Sequence, residues 1–191
     1  MQTGFICSAC LSLALIAQTG PEATIRVRIY DQAHLDRQTI ERAQRQVSFI
    51  FEKIGVRLEW LTEGEPPLRI LLVEQLPPEI RSSEEVFGYT PKDPDGTSSG
   101  LAYVAYAPVK AFVQKPEPGR PRLNVSDMLG YAIAHEIGHL LLPAGSHSPA
   151  GVMRARWRAK DFELISTGTL LFTSQQGERI RDTVRRLPQA R

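Results

Sequence analysis

Cysteine is nearly absent: of 191 residues only Cys7 and Cys10 carry a thiol. Both fall in the apolar run that opens the chain. A redox C-x-x-C needs a thioredoxin-like strand and helix around it, and none follows here. No disulfide framework is therefore expected, and the fold must rest on its core. An excess of one charge sign is missing too. The 23 Lys and Arg against 21 Asp and Glu leave a net charge of +2, so no global field points to nucleic acid. The charge is uneven, with nine basic and four acidic residues from Gly151 onward. That basic end reads as a solvated helix face, and no nucleic-acid partner is expected.

Long hydrophobic runs are also lacking. The first twenty residues hold no charged side chain, but the run from Phe5 to Ala17 is too short to cross a bilayer comfortably. It reads as the apolar core of a secretory signal, residues 1–17, with small Ala17 as the cleavage point. A secreted or periplasmic protein without stable membrane insertion is the expectation. Residues 21–191 then form a single domain, with no internal repeat or second boundary. Apolar residues make up 42% and charged residues 23%, the proportions of a globular chain.

What is there begins with a strand. In Ala23–Asp31, Ile25, Val27 and Ile29 alternate with Arg26 and Arg28, the period of a half-buried strand. Asp36 is placed to cap a helix whose apolar positions Ile40, Ala43, Val47, Ile50 and Ile54 keep helical spacing up to Gly55. Val56–Thr62 alternates again, and Leu68–Leu76 reads as an interior strand, so the chain opens with a βαβ unit. Residues 77–99 are rich in Pro, Gly, Ser and acid and read as a long loop. Gly100–Val109 is expected as a strand and Gln114–Arg122 as another loop. Ser126 or Asp127 can cap a helix that runs to about Leu142, where Pro143 stops it. A terminal helix is expected over Thr173–Leu187, capped by Ser174. Residues 154–166 have no clear period.

Histidine is scarce as well, four in all, yet three fall in "AHEIGHLLLPAGSHSPAGVM", Ala134–Met153. His135 and His139 are four apart on the expected helix and project from one face, one turn apart, as two nitrogens on one ion require. Glu136 lies one residue on, placed to reach a water at that ion. This is H-E-x-x-H, two zinc ligands plus a general base. Catalytic zinc takes three protein ligands and keeps a position open. His147 is the leading candidate for the third, because the break at Pro143 and the freedom of Gly145 let the chain turn back. Glu163 on a later helix is the rival, and a solvated His147 is the third possibility. His34 has no partner motif and reads as surface. Trp157 and Tyr131 fit either a cleft or the core.

This stretch resembles the metzincin metalloproteases, in which H-E-x-x-H, a glycine turn and a third His precede a methionine turn. The resemblance implies His135, His139 and His147 as ligands of one catalytic Zn2+, Glu136 as base and Met153 as the Met-turn floor. It implies an α+β zincin fold: a small twisted mixed sheet of four to five strands, a backing helix, an active-site helix and a C-terminal helix. It also implies that the strand containing Gly100, Leu101, Ala102 and Tyr103 is the edge that pairs with a peptide or protein substrate. The chain departs from the family in one place. The family's glycine and third His fall three and six residues after the second His, where this chain has Leu142 and Gly145; His147 comes two residues later. The expected activity is peptide-bond hydrolysis. The alternatives are hydrolysis of a non-protein amide, and a silent zincin-fold binding protein; intact Glu136 argues against the last.

Overall fold

The computed structural model describes residues 23–80, 86–94, 96–115 and 117–187. The expected signal segment, with Cys7 and Cys10, lies outside the described residues. No described helix is long and apolar enough to cross a membrane.

Ten elements follow in order: β1 (Ala23–Asp31), α1 (Arg37–Glu52), β2 (Val56–Trp60), β3 (Leu68–Val73), β4 (Gly88–Tyr89), β5 (Leu101–Ala105), α2 (Tyr106–Gln114), α3 (Val125–Leu141), α4 (Ala159–Ser166) and α5 (Ser174–Arg186). The strands form one mixed sheet in the order β2-β1-β3-β5-β4. β1 pairs in parallel with β2 and β3, and β3 with β5; only β4 runs antiparallel, against β5. The mixed sheet and the five described helices make an α+β architecture with the strand number and helix placement that the resemblance implies.

The alternating apolar residues do what their period dictates. Ile25 and Val27 of β1, Ile70 and Leu72 of β3, and Ala102 and Val104 of β5 are buried together. They join one core with Ala43, Val47, Ile50 and Phe51 of α1 and with most of α3. Asp36 caps α1, its side chain accepting from the Thr39 amide. The α3 cap is Asn124, two residues ahead of the first expected candidate, and its side chain accepts from Ser126 N. Thr173, not Ser174, caps α5 through a reciprocal bond with Gln176.

Two further expectations are corrected. The strand expected over Gly100–Val109 ends at Ala105, and the chain turns directly into α2. Pro108 stands in the first turn of that helix, where its missing N–H costs nothing, and Val109 and Phe112, three apart, turn inward. The second correction concerns the edge of the sheet. β5 lies between β3 and β4, with Tyr89 opposite Tyr103 and Gly88 opposite Val104. Tyr103 is thus covered by β4, the outermost strand, while Leu101 and Ala102 of the same β5 lie beyond the two-residue register of β4. Gly100 is required for the backbone path itself. Its φ is +74°, an added Cβ would collide with the Pro67 carbonyl, and its own carbonyl accepts from Arg69 N at 2.7 Å. The long segment after β3 returns along the end of β5 and takes its edge at Tyr103 and Val104.

Candidate metal centre

α3 is buried on nearly every side, so its position against the sheet and α1 is set by packing all round. Its C-terminal half carries His135, Glu136 and His139. The helix stops at Leu141, before Pro143, and Gly145 takes a left-handed φ of 72°. The chain then brings His147 back to the helix. His139 Nε2 lies 3.0 Å from His135 Nε2 and 3.1 Å from His147 Nε2. The three side chains offer nitrogens that all lie within 4.8 Å of one another. Glu163, the rival ligand, is exposed on α4 and outside this cluster. His34 is exposed.

The tautomers follow from the partners. His135 Nδ1 faces the Val152 carbonyl at 2.7 Å. A carbonyl only accepts, so Nδ1 carries the proton and Nε2 is bare. His139 Nδ1 meets Ser146 Oγ at 3.3 Å, a hydroxyl able to accept a proton there and leave Nε2 for a cation. Burial pushes the His135 pKa down to about 4, against the opposing pull of the Val152 carbonyl. Burial first, then His135, His147 and Lys92, take His139 down to about 3; burial also lowers His147. The His135 and His139 rings are therefore neutral, and Nε2 of His139 lies about one hydrogen-bond length from each of the other two. Two nitrogens bound tetrahedrally at 2.0–2.1 Å from zinc lie roughly 3.4 Å apart. The donor set thus fits one zinc-sized cation, held by Nε2 of His135, His139 and His147.

Glu136 is buried, and burial raises its pKa to about 8 while the Thr90 hydroxyl works in the other direction. Thr90 Oγ1 donates to Glu136 Oε2 at 2.8 Å. Gly88 stands against the same side chain: a Cβ there would sit 2.5 Å from Glu136 Cγ and 2.6 Å from Oε1. Lys92 Nζ donates to the His139 carbonyl at 2.6 Å, where a cation also suits the C-terminal end of α3. The segment that holds β4 is thereby fastened to α3 by Thr90 and Lys92. None of Gly88, Thr90 and Lys92 stands out in the sequence. The one usable signal is that Gly88 and Thr90 are two apart and share a face of an extended segment.

Met153 is fully buried and packs on α3 at Gly138, where an added Cβ would run into its sulfur. Its turn is tied down on three sides. Val152 N donates to Leu171 O, Ser148 N to Met153 O, and the Val152 carbonyl receives His135 Nδ1. Trp157 Nε1 reaches the same carbonyl at 3.2 Å, and its ring stands edge-on to His135. Trp157 thus borders the cluster, whereas Tyr131 is core.

No protein-family model matches the chain, and no curated protein matches it by sequence. Among solved structures, myroilysin matches at 10% identity over 66% of this chain and 52% of its own, with a TM-score of 0.37. The match spans about half of that protein's length. Archaemetzincin from Methanopyrus kandleri matches at 15% identity over 90% of this chain and 99% of its own, with a TM-score of 0.51. Strand order, helix placement and this likeness agree that the chain has a metzincin-like zincin fold.

Proposed function

We propose that the protein is a zinc-dependent peptidase, and that it is exported. The observation that carries this reading is the meeting of three Nε2 atoms with a buried carboxylate on the residue next to the first of them. A zinc ion held by His135, His139 and His147 supplies Lewis-acid polarisation of a carbonyl and lowers the pKa of water. Glu136 takes a proton from the water that attacks the scissile carbonyl. It then hands that proton to the departing amine nitrogen as the C–N bond breaks. The high pKa that burial gives Glu136 suits a group that must both accept and return a proton near neutral pH. Met153 forms the apolar floor beneath the ligands.

The substrate is proposed to be an extended peptide added to the free edge of β4. Phe87 O accepts from Ala105 N on the inner side. Alternation along an antiparallel strand then turns the N–H and C=O of Gly88 outward, next to Glu136, and such groups bind a peptide backbone.

The test is Glu136→Gln. The variant should keep about one zinc per chain and lose about 10²- to 10⁴-fold in hydrolysis of a peptide library. A Gln variant as active as the wild type overturns the mechanism. A zinc-loaded wild type that leaves every peptide intact overturns the substrate class and favours a non-protein amide.

A further inference from the structure

Thr90 has one hydroxyl proton and two acceptors within reach, both on Glu136. Oε2 is at 2.8 Å and the backbone carbonyl at 3.3 Å. The shorter bond, to a carboxylate oxygen, is the stronger. Oε2 is therefore committed to Thr90. Among the described residues no hydrogen bond is made to Oε1. The same segment approaches the carboxyl from one side, and only because residue 88 has no side chain: a Cβ would come within 2.5–2.7 Å of Cγ, Cδ and Oε1. One group thus holds the carboxyl and another leaves it the room to sit there.

We propose that Thr90 is the positioning residue of the general base. Its hydroxyl fixes the Glu136 carboxyl through Oε2 and assigns proton uptake and return to Oε1. This rests on the peptidase reading above. The arrangement serves both halves of the cycle. A carboxylate accepts the Thr90 proton at Oε2, and once Oε1 is protonated the carbonyl-like Oε2 still accepts it. The base therefore need not reorient between taking the proton from water and giving it to the amine. A base that swings loses reactive geometry in proportion to the time spent away from it. Nothing in this role requires Thr90 to touch substrate, so its loss should leave substrate affinity alone.

The experiment compares wild type, Thr90→Val, Thr90→Ser and Gly88→Ala as full-length zinc-loaded proteins. The substrate is one fluorogenic peptide selected from a library with the wild type. Val keeps the shape and removes the donor; kcat should fall about 10- to 100-fold, the usual worth of a hydrogen bond to a charged group. KM should stay within about twofold, and zinc content should be unchanged. Ser, which keeps the donor, should recover kcat to within about threefold. Gly88→Ala should lower kcat by displacing the same carboxyl. An undiminished kcat in Thr90→Val overturns the proposal, as do equal losses in Val and Ser or a loss that follows zinc content. Crystal structures of zinc-loaded wild type and Thr90→Val give a readout that needs no turnover. The Glu136 carboxyl should leave its place in the variant, and an unmoved carboxyl overturns the assignment. Failure of the peptidase reading looks different: wild type itself leaves peptides intact while Glu136 remains held by Thr90.

Discussion

The Val152 carbonyl is a contributor to the candidate centre that no side-chain motif announces. It takes the Nδ1 proton of His135 and so leaves Nε2 bare for a cation. Such partners of metal-binding histidines commonly contribute 10- to 100-fold in metal affinity. His147 is the member of the cluster with the most solvent around it, yet its Nε2 closes the set. His147→Ala is expected to weaken zinc binding at least about 100-fold by removing one of three ligands, while Glu163→Ala leaves it unchanged. Competition with a chromogenic chelator measures both; equal affinities in the two variants would move the third ligand elsewhere. His135 and His139 were legible because a spacing of four shares one helix face; for His147 the sequence offered the break at Pro143 and the freedom of Gly145, with Glu163 left as a rival. Thr90 and Lys92 were not legible. Their partners lie 46 and 47 residues away, and their own segment has no period to read.

Elements with a strong period were legible, and those ruled by tertiary context were not. α1 and β1–β3 show apolar spacing that survives in the fold. β4 has two residues, Gly88 and Tyr89, inside a loop-like composition, and only pairing with β5 makes it a strand. α2 was hidden because Tyr103–Val109 is as apolar as a strand, and short apolar runs do not distinguish the two states by composition. α3 offers the sharpest test at this scale. Gly138 faces the helix partner Met153, with Phe172 also at contact distance. Gly138→Ala should gain helix propensity worth about 1 kcal/mol and lose more through overpacking, typically 1–3 kcal/mol. The net expectation is a lower Tm together with weaker zinc binding, because the displaced Met153 turn also carries the His135 partner. Calorimetry and a zinc titration check it. A stabilised variant with intact zinc affinity would show that Gly138 and Met153 are not in tight contact.

At the scale of the molecule, one sheet, one core and a single converging cluster arise from a chain with no disulfide among its described residues. Four parallel strands present α3 to one antiparallel edge, and the edge segment is pinned to that helix beside the base. The fold gathers three histidine Nε2 atoms that the unfolded chain leaves apart, so metal binding and folding should be coupled. Zinc present at about 1,000 times its Kd adds about 4 kcal/mol to stability. For a chain of this size that is roughly 10 °C in Tm. Chelation should lower Tm by that order and zinc should restore it; an unchanged Tm after verified metal removal contradicts the coupling. The architecture was legible as a class because the strand–helix–strand order precedes the H-E-x-x-H helix. The edge assignment failed because nothing local says which strand lies outermost.

Zinc K-edge absorption on the purified, zinc-loaded protein tests the centre most directly. The account predicts a first shell of three imidazole nitrogens at about 2.0–2.1 Å plus one light atom, falling to two imidazoles in His147→Ala. A wild-type shell with two imidazoles or fewer, or one unchanged by that substitution, contradicts it.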